Sequence, residues 1–135
     1  MSDPTPDLGQ MVAMMPFAEL LGIELDTATA EEVRGRVPWA AEKCTTFGLL
    51  HGGVLMAAAD TVGAVCAFLN LPAGALTTTI ESKTNFFRGL RAGRAFAVTT
   101  PLHVGRTTIV VQTDIRDADD RRLALVTQTQ AVLTG

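Results

Sequence analysis

Cysteine is scarce in this chain, with Cys44 and Cys66 the only two among 135 residues, and their separation matches no metal-binding spacing. Two such thiols predict reduced side chains in a cytoplasmic protein rather than a disulfide framework. Charge is also sparse, at 19% of residues with a net charge of −3. A chain without a basic excess is poorly suited to nucleic acid. No basic stretch and no long apolar run precede Met11, so a secretory leader is not expected. There is no internal repeat and no composition break. One domain over 1–135, with 1–8 as a polar tail, is the expected organisation.

Apolar residues make up 47% of the chain. They concentrate in one run, Leu49–Leu71, long enough to raise the question of a membrane span. His51, Asp60, the glycines and a series of alanines within it favour a buried helix of a water-soluble fold, so no membrane is expected. From Val54 to Leu69 the run has no proline and is apolar on every face, which predicts burial. Its one charge is Asp60. Aspartate is a poor helix former, and this one lies too deep to be an N-cap. A buried carboxylate is costly unless paired or used, so Asp60 is the first candidate for chemistry, as nucleophile or as general base. Gly52 and Gly53 open the helix, where backbone amides lack intrahelical acceptors and favour negative charge. His51 stands beside them, as a loop-orienting side chain or a substrate contact.

Gln10–Leu21 shows helical spacing with a break at Pro16 and a stop at Gly22. Ile23–Thr29 and Val33–Val37 read as short strands. Four longer stretches alternate with period two: Leu76–Phe87, Ala95–Val104, Thr107–Ile115 and Leu123–Leu133. The expected inward parities carry Leu76, Ile80 and Phe86; Phe96, Val98, Leu102 and Val104; Ile109, Val111 and Ile115; and Leu123, Leu125 and Leu133. The economical arrangement is an α+β fold in which a long curved antiparallel sheet wraps one central helix.

His51-Gly52-Gly53, six further residues and then Asp60, followed by Thr79-Ile-Glu-Ser-Lys-Thr-Asn-Phe-Phe-Arg88, resembles the hotdog-fold acyl-CoA thioesterases, especially the phenylacetate-degradation and 4-hydroxybenzoyl-CoA branch. The likeness spans about residues 20–134. It implies that Asp60 is the catalytic carboxylate and that the Gly52 N–H polarises the thioester carbonyl. It also implies that Thr79 lies near the attacking water. Thr45 stands where the family often has asparagine, and a hydroxyl offers one donor where an amide offers two. The family is typically dimeric or a dimer of dimers, so a homodimer and then a homotetramer are expected, with no cofactor.

Five cations, Lys83, Arg88, Arg91, Arg94 and Arg106, form a basic set suited to CoA phosphates, with Arg88 and Arg91 foremost. Gly53 joins them as a candidate substrate contact. Two other readings compete: a non-catalytic acyl-CoA-binding module, and a hotdog hydratase/dehydratase. The R-specific hydratases carry Asp five positions before His, and neither His51 nor His103 has one there.

Overall fold

The computed structural model describes residues 7–134. Most of the expected tail lies outside this range, but Asp7 and Leu8 do not belong to a tail. Asp7 caps helix α1 (Leu8–Ala13), its Oδ1 accepting from the amides of Gly9 at 2.9 Å and Gln10 at 3.2 Å. Pro16, which has no amide to leave unpaired, starts α2 (Pro16–Leu21). Gly22 ends it in the left-handed region, with φ of 77°. The strands follow as β1 (Glu24–Ala28), β2 (Val33–Pro38), β3 (Leu76–Phe86), β4 (Arg94–Val104), β5 (Thr108–Arg116) and β6 (Arg122–Leu133), with the long helix α3 (Gly52–Leu69) between β2 and β3.

All pairings in the sheet are antiparallel, in the order β1-β2-β4-β5-β6-β3. The sheet curves around α3, which packs against β2 through β6. Asn70 ends the helix, its Nδ2 donating to the carbonyls of Cys66 and Ala30, both at 2.8 Å. Both cysteines are free, and burial pushes the Cys66 thiol up to about 11. Lys43 ties the connection before α3 to the rest, donating to the carbonyls of Leu21 at 2.8 Å and of Pro38. Burial lowers the pKa of that ammonium.

Several expectations need correction. First, α3 is not buried all round. Val54, Leu55, Ala58, Ala59, Val62 and Cys66 lie in the core, but Met56, Asp60 and Phe68 are exposed along one stripe of the helix. The helix is long and apolar enough to cross a membrane, and half of it is buried against the sheet. Second, β4 presents the opposite parity. Ala95, Ala97 and Thr99 face the core, while Leu102 and Val104 are 57% and 50% exposed. The cause is the closeness of α3. On β2 the partner of Ala97 is Gly35, where a Cβ would stand 3.0 Å from Val62 Cγ2 of the helix. Gly35 and Ala97 are small where the helix comes near, and Phe96 and Val98 turn outward. Third, Leu123 is buried as expected, but from there on β6 turns Ala124, Val126, Gln128 and Gln130 inward, leaving Leu133 half-exposed. The parity expected for β5 is the one observed, with Ile109, Val111 and Ile115 fully buried.

β3 is an edge strand, and Leu76, Ile80 and Phe86 are more than half exposed instead of facing the core. Its register shifts between Thr79 and Glu81. Such a bulge switches which residues face the helix.

Candidate active site

Asp60 lies mid-helix on the open stripe of α3, between Met56 and Phe68. It is exposed, which overturns the expected buried acid. Its Oδ1 accepts from Thr79 Oγ1 at 3.0 Å and from Gln128 Nε2. Among the described residues its Oδ2 has no hydrogen-bond partner. One oxygen is therefore held and the other is free to meet a water or an acyl carbon. Thr79 in turn accepts from Gln130 Nε2 at 2.8 Å, and Gln130 Oε1 accepts from Thr77 Oγ1 at 3.0 Å. The carboxylate thus stands on a chain of amides and hydroxyls running down β3 and β6.

The second pole of the site is the start of α3. His51 caps it, with Nδ1 accepting from the Gly53 amide at 2.8 Å. That bond places the neutral ring's proton on Nε2 and orients the ring. It also consumes the Gly53 N–H, so Gly53 offers no donor to a ligand. What Gly53 supplies is space, since a Cβ there would stand 2.8 Å from Nδ1. The Gly52 N–H makes no hydrogen bond among the described residues. A free amide at a helix N-terminus is the donor an oxyanion needs.

The loop ahead of His51 holds Phe47 in the left-handed region, at φ of 63°, with its side chain 85% exposed. Arg91 braces this loop, Nη1 donating to the Phe47 carbonyl at 3.1 Å. Thr45 starts the same turn. It is exposed, its amide donates to Leu49 O at 2.8 Å, and its hydroxyl makes no hydrogen bond among the described residues.

Arg88, Arg91 and Arg94 share one groove of about 430 Å³ with Arg121. Arg121 is paired with Asp117 and Asp119, whereas none of the other three joins an ion pair among the described residues. The five-residue basic set does not hold together. Arg106 follows the far end of β4 from Arg94, ~33 Å away along a strand of this length. Lys83 is exposed within β3.

One apolar hollow reaches the carboxylate, and a second adjoins it further along α3. One, of about 310 Å³, is bounded by Met15, Pro16, Phe17 and Ala64, with Asp60 and Thr61 at its rim. The other, of about 320 Å³, lies between Met11, Met14, Met15, Val65 and Phe68. The N-terminal helices therefore wall the space beside Asp60.

The sequence profile of the thioesterase superfamily matches residues 47–124, which carry the helix, its free amide and its acid. The chain belongs to the thioesterase superfamily. Its hotdog fold superposes on a mutant of thioesterase PA1618 from Pseudomonas aeruginosa with a TM-score of 0.90 and 32% identity, covering 96% of each chain. Among curated relatives, the proofreading thioesterase EntH of Cronobacter turicensis is 30% identical over 87% of this chain and 85% of its own. The 1,4-dihydroxy-2-naphthoyl-CoA hydrolase of Escherichia coli is 29% identical over 84% of this chain and 83% of its own.

As a thioester hydrolase, the enzyme has more polar machinery than the sequence reading identified. Gln128 and Gln130 are each only 1% exposed. Their signal was present: two glutamines at alternate positions of one strand, on the parity opposite the leucines. Reading the leucines as the core face hid it. Gln128 Oε1 is buried without a partner among the described residues, a cost of ~1–3 kcal/mol for a neutral polar group.

Proposed function

We propose that this thioesterase hydrolyses aryl- or medium-chain acyl-CoA, with Asp60 as nucleophile or general base and the Gly52 N–H as oxyanion donor. The observation that carries the reading is an exposed, half-bonded carboxylate on the open stripe of α3, together with an unpaired amide at the start of the same helix. As general base, Asp60 would take a proton from water while the water oxygen bonds to the thioester carbon. The carbonyl oxygen would gain charge against the Gly52 amide. Collapse would break the C–S bond and release the free acid and the CoA thiol. As nucleophile, a carboxylate oxygen would bond to the thioester carbon and break its C–S bond, the CoA thiolate leaving and taking a proton from water. A second water would cleave the mixed anhydride to the free acid and Asp60.

The same reading makes the active site bipartite. Asp60 follows Gly52 by eight residues, ~12 Å along a helix. One carbonyl cannot meet both directly, so Gly52 of one chain would serve with Asp60 of a second. A two-fold homodimer with antiparallel α3 helices forms two such sites. The unpaired β3 edge with exposed Leu76 and Ile80, and the exposed Met56 and Phe68 of α3, support that surface as the one covered. A homotetramer built from two dimers and a cytoplasmic location complete the proposal.

The aryl preference draws on the apolar hollow at Asp60, on the one that adjoins it along α3, and on the E. coli relative, whose name specifies an aromatic acyl-CoA. Free-thiol release from benzoyl-, phenylacetyl-, octanoyl- and acetyl-CoA tests it. The aryl or octanoyl thioesters should be turned over with at least tenfold higher kcat/KM than acetyl-CoA, since each buried methylene contributes ~0.8 kcal/mol. Equal rates on all four would remove the assignment of the hollows to the acyl group.

The arginine groove fits the phosphates of CoA. Arg88→Ala is therefore expected to raise KM several-fold with little change in kcat, and KM should climb with added salt as exposed charge contacts are screened. Arg91→Ala should do the same and also lower kcat modestly, because Arg91 braces the loop ahead of His51. A KM indifferent to both substitutions and to salt would place CoA elsewhere.

A further inference from the structure

We infer that Gln128 is a positioning residue for Asp60, and that Gly63 is glycine so that the Gln128 amide can reach it. This rests on the reading of Asp60 as the catalytic carboxylate. Gln128 projects from β6 toward α3, and its Nε2 donates to Asp60 Oδ1 and, at 3.2 Å, to Thr79 Oγ1. Nε2 rather than Oε1 must face the carboxylate, because a carbonyl there would meet like charge. That choice leaves Oε1 pointing at the helix one turn further on, where it has no partner. The nearest atom to a Cβ built at Gly63 is that same Oε1, and the two would overlap. Any side chain at position 63 would push the amide off Asp60.

The arrangement is a poor one for stability. An apolar side chain at 128 would fill the same space against Val111 and α3 without stranding a carbonyl. Buried polar atoms that the fold leaves unsatisfied are uncommon, and each calls for an explanation. Here the requirement is a fixed carboxylate. Within its own chain Asp60 is exposed, and two donors on Oδ1 fix its rotamer independently of any partner subunit. They leave Oδ2 without a hydrogen-bond partner among the described residues and so available to a water or substrate. Gln130, bonded to Thr79 and Thr77, fixes the second of those donors.

The test compares Gln128→Met, Asp60→Asn and the double variant in the full-length enzyme, with benzoyl- and octanoyl-CoA as probes. Gln128→Met keeps the length and volume and deletes only the amide. It should lower kcat roughly ten- to hundredfold, the worth of a hydrogen bond to a charged group, with KM unchanged. The melting temperature should stay level or rise, which loss of a merely structural residue would not produce. In the Asp60→Asn background, adding Gln128→Met should cost no further activity, because its effect passes through the carboxylate. Gly63→Ala should reproduce the kcat loss while Gln128 is present and add nothing once it is Met. Wild-type kcat in a folded Gln128→Met enzyme, or an equal loss with and without Asp60, would overturn the assignment. Should Asp60→Asn itself remain active, it is the catalytic role of Asp60 that fails.

Discussion

Asp60→Asn is expected to lower kcat by ~10²–10⁴ and to leave the protein folded. The structure strengthens the second half of this expectation. Asp60 is an exposed group on an open stripe, and asparagine keeps an oxygen that can accept from Thr79 and Gln128. What is lost is the charge and the basicity of Oδ2. Steady-state thiol release, read beside circular dichroism and a thermal melt, separates the outcomes. A folded variant that turns over at the wild-type rate would end the assignment of Asp60 to the chemistry. A variant that cannot fold would return it to a structural role.

Gly52→Pro should cost ~10²–10³ in kcat, the usual effect of deleting one oxyanion donor. Proline at the first position of a helix is well tolerated, since the missing amide bonds nothing within the helix. The residue before it must be extended, and His51 already is, with φ of −60° and ψ of 134°. The added ring meets Phe86, whose Cε1 and Cζ lie 3.2 Å from a built Cβ, so that half-exposed ring must give slightly. Gly52→Ala makes the same contact and keeps the N–H. Alanine near wild type with proline inactive would isolate the amide. Equal losses in both would assign the effect to crowding at Phe86.

The two variants together test the shared site. Asp60→Asn chains and Gly52→Pro chains, each inactive alone, should regain activity after subunit exchange. A mixed dimer carries one intact pair and one doubly damaged pair, so about half the wild-type rate per dimer is expected for a two-fold assembly. Mixed dimers seen by native mass spectrometry with no recovered turnover would show that Gly52 and Asp60 do not serve one carbonyl from different chains.

Much of this protein is legible from its residues in order. The helix from the glycine pair to Leu69, the breaks at Pro16 and Gly22 and the four long strands follow from local periodicity and from residues with restricted backbones. The family is legible as a resemblance, carried by His51-Gly52-Gly53, Asp60 and the Thr79–Arg88 stretch together. Tertiary structure decided what local pattern cannot encode. Which parity of β4 faces inward depends on how near α3 comes, and Val62 against Gly35 sets that distance. Which face of an all-apolar helix stays open depends on where the sheet ends, and it ends at β3. Asp60 is exposed for that reason. Its partners Gln128 and Thr79 lie 68 and 19 residues away in the chain, and only the curvature of β3 and β6 around α3 brings their donors to one oxygen.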